Sequence, residues 1–197
     1  MAPDRPSDEV LAKMAKEGDA KAFEELFERY KKPILNLIYR LIGNKETAEE
    51  VAQEVFMKVY SNLDIYDPKR DFTPWVYTIA RNLAKNALRD RRYFRDVSLE
   101  KAVSQDKAIR LKDVISDPKA TPDLIAEDAE LAEQAQIVLN TMPLKYREVI
   151  TFCSIQGLTY KKAAKVLGCS AATIAIRLNR AKILFMQRLG IDKKGQG

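Results

Sequence analysis

The sequence predicts an all-α protein: two small helical domains joined by a flexible linker, the C-terminal one a helix-turn-helix. Three observations predict it. Apolar residues recur at the 3.6-residue period over long stretches, with no strand-like alternation. The few breakers, 7 glycines and 8 prolines, fall between periodic segments as expected for helices joined by short loops. Charge is also partitioned: residues 1–95 carry 18 bases and 16 acids, residues 96–133 carry 5 and 10, and residues 134–197 carry 11 and 2. An acidic, proline-interrupted middle between basic periodic blocks reads as a tether. The expected boundaries are 1–95, 96–126 for the linker, and 127–197.

Each element has a local cause. A first helix is expected over Asp8–Lys16, after which Asp19 caps a second with the apolar stripe Phe23, Leu26, Phe27, Tyr30. Pro33 is expected to interrupt it, because proline lacks the helical N–H and crowds the preceding turn. Ile34, Leu35, Ile38, Leu41 and Ile42 continue the apolar face to Gly43-Asn44. Thr47 with Glu50 reads as a capping box opening a third helix, with Val51, Val55, Phe56 and Val59 inward. A loop over 64–71 follows, and Thr73 as cap with Pro74 at the first helical position starts a long helix towards Arg92. Asp117-Pro118 and Thr121-Pro122 mark the tether, whose residues 96–133 could span about 125 Å at about 3.3 Å each. Four more helices are expected over 127–140, 144–156, 159–167 and 170–189.

Composition narrows the function. The chain lacks histidine, and its two cysteines, Cys153 and Cys169, have no metal-ligand spacing. No metal, cofactor or catalytic residue is expected, and the chain is read as not an enzyme. A magnesium-dependent nuclease built on Asp64, Asp67 and Asp71 is disfavoured, because Lys69 and Arg70 interleave those acids and no second acidic cluster has clear metal-ligand spacing. The opening MAPDRPSDEV has no apolar run, and no stretch approaches the roughly 20 apolar residues of a membrane span. The expectation is a soluble, cytoplasmic protein in a reducing compartment, and its excess of 34 Lys+Arg over 28 Asp+Glu hints at a polyanionic partner.

Two segments look built to hold nucleic acid. Residues 158–182 have helix-turn-helix character: small Ala163 and Ala164 permit a close crossing, Gly168 suits the turn, and Ser170 caps the second helix. Ile174, Leu178 and Ala181 should face the core, leaving Arg177, Arg180 and Lys182 outside it. Such a helix lays its N-terminal residues on base edges in the major groove while basic side chains take phosphates. An ordinary helical hairpin with solvated lysines is the plainer alternative. In the N-terminal block, Val76, Ile79, Ala80, Leu83 and Ala87 share one face, while Arg81, Lys85, Arg89 and Arg92 share another, flanked by Asn82 and Asn86. A cationic stripe bordered by amides suits a nucleic-acid backbone. Tyr66 and Phe72, in the loop, are the expected stacking platforms for unpaired bases, and Trp75, on the side of Ile79, is expected in the core.

Together these segments resemble the extracytoplasmic-function (ECF) type of bacterial RNA polymerase sigma factor, over roughly residues 8–95 and 127–189. Three motifs carry the likeness: Thr47-Ala-Glu-Glu-Val-Ala-Gln-Glu-Val-Phe56, Phe72-Thr-Pro-Trp-Val-Tyr-Thr-Ile-Ala-Arg-Asn-Leu-Ala-Lys-Asn86, and the helix-turn-helix. The resemblance implies a factor that binds core RNA polymerase and directs initiation at promoter DNA. It places Glu50, Gln53 and Glu54 at the polymerase clamp. At the −10 element it implies the loop with Tyr66, Lys69, Arg70 and Phe72, and the helix with Arg81, Asn82, Lys85, Asn86 and Arg89. At the −35 element it implies Ser170, Ala171, Ala172, Thr173, Ala175, Ile176, Arg177 and Arg180. A dedicated anti-sigma protein is the further partner it implies. The sequence departs from the family pattern at Lys162, where an acid is usual, at Ala175-Ile176, where Lys-Ser is common, and at Cys169, read as a small core hydrophobe. Ile176 either touches a thymine methyl or packs on a neighbouring helix. The competing reading is a free-standing helix-turn-helix regulator, which leaves the acidic helix and the tether without a purpose.

Overall fold

In a computed structural model, which describes residues 5–102 and 124–190 (side chains of 91–102 and 124–129 excepted), the chain is helical with no strand among the described residues. The helices are α1 (Asp8–Lys16), α2 (Ala20–Ile42), α3 (Lys45–Ser61), α4 (Phe72–Ala102), α5 (Leu124–Thr141), α6 (Leu144–Ile150), α7 (Tyr160–Leu167) and α8 (Ala171–Arg188). A 3₁₀ turn, Leu63–Ile65, precedes α4, and a π-helical turn, Thr151–Ile155, follows α6. The tether's Asp117-Pro118 and Thr121-Pro122, the Arg92 side chain and the tail from Asp192 lie outside the described residues.

Several local predictions hold and several yield to packing. The Asp19 carboxylate accepts from the N–H groups of Lys21 and Ala22, capping α2 as expected. Helix α2 then runs through Pro33 without a break. A proline inside a helix costs about 3 kcal/mol, but burying an aliphatic side chain returns about 1.5–3 kcal/mol. The same helix fully buries Ile34, Leu37, Ile38 and Leu41, so continuity wins. Helix α3 starts earlier than the capping box predicts: Asn44 is the cap, accepting from Thr47 N–H at 2.9 Å, so Thr47 lies inside the first turn. Glu50 is thereby left exposed without a capping role.

Helix α4 likewise begins at Phe72 rather than after Thr73. The Phe72 N–H is satisfied by Glu9 Oε1 at 3.1 Å, and the Thr73 hydroxyl turns to Tyr30 Oη at 2.9 Å instead of capping. Pro74 falls within the first turn, where a missing N–H costs nothing. The helix continues to Ala102, past the expected start of the linker, and α5 begins at Leu124, before the expected residue 127. In the second half, the predicted helix over 144–156 divides into α6 and the π-helical turn, with Gln156 N–H closing on Thr151 O.

Helices α1–α4 and α5–α8 are the two helical domains, and the structure adds that they touch. One apolar cluster runs from Leu26, Ile38, Val55 and Val76 to Leu139, Phe152, Ile174 and Leu178. The C-terminal end of α2 meets α5 and α6. There Arg147 donates to Leu41 O at 2.5 Å, and Gln136 donates to Arg40 O at 3.3 Å. Those carbonyls belong to the last turn of α2, which has no helical partner for them, and the Arg147 cation also complements the negative end of its dipole. Helix α4 meets α7 directly.

Candidate nucleic-acid interface

Three exposed surfaces carry the residues that the sequence singles out. The first is on α3. With the register set by Asn44, the residues Ala48, Val51, Ala52, Val55 and Val59 are buried, and Glu50, Gln53 and Glu54 point to solvent. The same line continues at helical spacing into Met57, 64% exposed, and Tyr60, 65% exposed. An acidic and amide patch ending in two large apolar side chains has the chemistry that suits a protein partner better than DNA. Sequence reasoning missed Met57 and Tyr60. Their signal is a run of apolar residues one helical face removed from the core stripe.

The second surface is the loop before α4 together with α4. Lys16 on α1 donates to Asp64 O at 2.6 Å and Tyr66 O at 3.2 Å, pinning the loop's start. The Tyr66 hydroxyl donates to Arg70 O, pinning its end. Tyr66 and Phe72 are 2% and 1% exposed, and their rings meet edge to face at 5.4 Å. They belong to the core and cannot receive a stacked base, contrary to expectation. Phe72 opens α4 beneath α1 and α2, against Tyr30, so the loop's aromatic positions are packing positions. The half-buried Trp75 is the more exposed ring of a concavity of about 710 Å³ that Tyr66 also lines, bounded further by Asp67, Arg70, Thr78 and Lys165. Lys69 and Arg70 are exposed on its outer side.

Along α4, Asn82, Lys85, Asn86 and Arg89 form one exposed stripe at i, i+3, i+4, i+7 spacing. Arg81, expected on the free stripe, is not free. Its Nε lies 2.6 Å from Glu148 Oε1 and its Nη2 lies 3.3 Å from Oε2, across the contact between α4 and α6. The expectation of an uncompensated cationic stripe fails there because the compensating acid is 67 residues away in sequence. Burial at this junction pushes the Tyr77 phenol up to about 12. Nearby, the Lys165 ammonium, 2.7 Å from Asp71 Oδ2, holds that carboxyl below its usual range.

The third surface is α8. Gly168 takes φ +64° in the turn and Ser170 Oγ accepts from Thr173 N–H at 3.1 Å, both as the sequence predicts, and Thr159, expected inside α7, caps it instead through Lys162 N–H. Ile174, Leu178 and Ala181 are buried against α6 and α7. The outward face therefore carries Ala171, Ala172, Ile176, Asn179 and Arg180, while Ala175 and Arg177 lie at its edge. Ile176 is 56% exposed and stands on the outward face. Cys169 is half-buried against the core, with Arg177 reaching its sulfur at 3.9 Å. Asn179 was missed. It stands between Ile176 and Arg180 with an amide that can donate and accept in the manner of an adenine reader. Among the described residues no group of three or more His, Cys, Asp or Glu could hold a metal ion, and no helix is long and apolar enough to cross a membrane.

Comparison with known proteins agrees with this layout. The family described as Sigma-70 region 2 matches residues 26–93, and that described as Sigma-70, region 4 matches residues 133–184. The chain is 30% identical to the ECF RNA polymerase sigma factor SigW of Bacillus subtilis over 90% of its length and 94% of the relative's. It is 31% identical to the ECF RNA polymerase sigma-E factor of Escherichia coli, covering 96% and 95%. Its fold is similar to CnrH, solved in complex with the cytosolic domain of CnrY, with a TM-score of 0.69 at 24% identity over 95% of this chain and all of that one. It is also similar to the sigma factor RpoE solved in complex with the anti-sigma factor NepR from Bartonella quintana, with a TM-score of 0.64 at 23% identity, over 88% of this chain and all of that one. With both sigma regions matched in order and full-length relatives of this identity, the chain belongs to the ECF family of RNA polymerase sigma factors.

Proposed function

We propose that this sigma factor docks on core RNA polymerase through the acidic face of α3, reads the −10 element with α4 and its preceding loop, and reads the −35 element with α8. The division into residues 1–95, 96–126 and 127–197 serves that arrangement, with the middle segment as the tether. The observation that carries the reading is the segregation of exposed chemistry. Glu50, Gln53 and Glu54 stand on one helix, Asn82, Lys85, Asn86 and Arg89 on a second, and Ile176, Asn179 and Arg180 on a third. Acidic residues repel DNA and so suit a protein partner, while the other two faces pair cations for phosphates with amides or apolar groups for base edges. Trp75 takes the place of Tyr66 and Phe72 as the ring beside an unpaired base.

Neither DNA face is large, so tight promoter binding requires both contacts to be held on one platform, where linkage raises the effective concentration of the second. The polymerase supplies that platform and the catalytic step, and the protein itself does no chemistry. It works in the cytoplasm, and the likeness to the sigma factor RpoE, solved in complex with the anti-sigma factor NepR, supports an anti-sigma partner. Run-off transcription with core polymerase and a promoter library tests the reading. Initiation from a defined subset of promoters is expected, lost on charge reversal of Glu50 and Glu54. Absence of any directed initiation by the wild-type protein would overturn it.

A further inference from the structure

We infer that α8 selects two adjacent A·T pairs within the −35 element, Ile176 holding a thymine methyl of one pair and Asn179 bonding to the adenine of the next. The inference rests on the −35 role proposed for α8 and names the chemistry by which that helix chooses its sequence. A recognition helix reads base edges with the side chains of its N-terminal turns. In α8 most polar groups there are already engaged. Ser170 Oγ accepts from Thr173 N–H at 3.1 Å, and the Ser170 and Thr173 hydroxyls share a hydrogen bond of 2.9 Å. The Arg177 guanidinium turns back over the turn between α7 and α8, its Nη1 3.9 Å from Cys169 Sγ. Ala171 and Ala172 are exposed and carry only methyl groups, which leaves the tip of the helix without a polar reader. What remains outward is Ile176, 56% exposed, followed by Asn179 and Arg180.

Each base offers a different edge in the major groove. Guanine suits the fork of an arginine or a lysine, cytosine a carboxylate, adenine a two-bonded amide, and thymine alone presents a methyl. Helix α8 carries no acidic residue, so the carboxylate suited to cytosine is missing. A branched aliphatic side chain at this surface gains from leaving water only against another apolar group, and the thymine methyl is the one the groove supplies. Asn179 stands three residues further on, about 4.5 Å along an axis rising about 1.5 Å per residue. That is close to the rise of about 3.4 Å between base pairs. The amide therefore reaches the pair next to the one under Ile176, and its donor and acceptor match the ring nitrogen and amino group of adenine. Arg180, one turn past Ile176, is left for the phosphates.

A promoter library randomised through the −35 element, bound by the full-length protein assembled with core polymerase, tests this. The enriched duplexes should contain adjacent A·T pairs, and enrichment of G·C pairs throughout would overturn the inference. The best duplex is then rebuilt with uracil in place of each −35 thymine in turn, which removes a methyl group and nothing else. One of these replacements should weaken wild-type binding about fourfold, as losing one buried methyl-sized group does. Indifference to every uracil would overturn the role of Ile176. Ile176→Ala should no longer tell that thymine from uracil, and a variant that still did so fourfold would give the methyl to another group. Asn179→Ala should lose about tenfold on the best duplex and relax the preference for adenine at one position. Equal loss for all four bases there would assign Asn179 to the DNA backbone instead. Both side chains are exposed, circular dichroism checks that the variants fold, and the uracil comparison needs no variant. A library that enriches no −35 sequence would remove the −35 reading and this inference with it, whereas enrichment without sensitivity to uracil would leave that reading standing and overturn only the inference.

Discussion

Gly43 ends α2 in the left-handed region, φ +76° and ψ 16°, where its N–H donates to Tyr39 O at 2.7 Å. Alanine there would bring a left-handed backbone cost of about 1–2 kcal/mol. Its Cβ would also stand 2.3 Å from both Asn140 Nδ2 and Asn140 Oδ1, so the Asn140 amide must move. That amide accepts from Gln136 Nε2 at 2.9 Å, and Gln136 in turn holds Arg40 O. Losing one such hydrogen bond costs about 1 kcal/mol. Gly43→Ala should therefore destabilise by about 2–3 kcal/mol in all. Gly168→Ala provides the comparison, because Gly168 has φ +64° but nothing within 4 Å of the place an alanine methyl would take. It should lose only the backbone share, about 1–2 kcal/mol. Urea unfolding followed by circular dichroism measures both, and repeating Gly43→Ala in an Asn140→Ala background should recover the difference of about 1 kcal/mol. Equal losses at Gly43 and Gly168, or no relief from Asn140→Ala, would refute the claim that α5 presses on the end of α2.

Three further outcomes are expected. Phe72→Ala, at a side chain 1% exposed and packed edge-on against Tyr30 and Tyr66, should cost about 3–5 kcal/mol in thermal unfolding, whereas a loss under about 1 kcal/mol would return Phe72 to the surface. Burial pushes the Tyr77 phenol up to about 12 in the folded protein, against 10.0 ordinarily, so its contribution is complete below pH 10 and is lost as pH rises through the folded value. Stability should then fall between about pH 10 and 12 by about 1.4 kcal/mol per pH unit for each such tyrosine, and Tyr77→Phe should flatten the slope measured by urea unfolding at successive pH values. Arg180→Gln, at an exposed cation of α8, should lower the slope of log affinity against log salt for polymerase-bound promoter by about one, and an unchanged slope would remove Arg180 from the phosphate contacts.

Caps and stripes were legible because they are local. Asp19, Ser170 and Gly168 act on backbone groups only a few residues away, and the buried sets Ile174, Leu178, Ala181 and Val51, Val55, Val59 follow from helical geometry alone. The exposed members of the candidate faces, Glu50 to Glu54 and Asn82 to Arg89, follow as the complements of those stripes. What misled was also local evidence. Thr47-Glu50 has the spacing of a capping box, yet Asn44 starts α3 one turn earlier. Tyr66 and Phe72 read from the sequence as loop residues, where aromatics are commonly exposed, yet Phe72 opens α4 against Tyr30 of α2 and both rings are buried.

The order of helices, the two basic blocks with an acidic segment between them, and the helix-turn-helix were settled by the sequence itself, since periodicity, capping and net charge are properties of short stretches. Tertiary structure alone decided that α2 would carry Pro33 unbroken, that Tyr66 would be buried while Trp75 stayed half-exposed, and that Arg81 would meet Glu148. Those outcomes depend on which faces are pressed together across many residues of chain, and burial, not local preference, sets their energies.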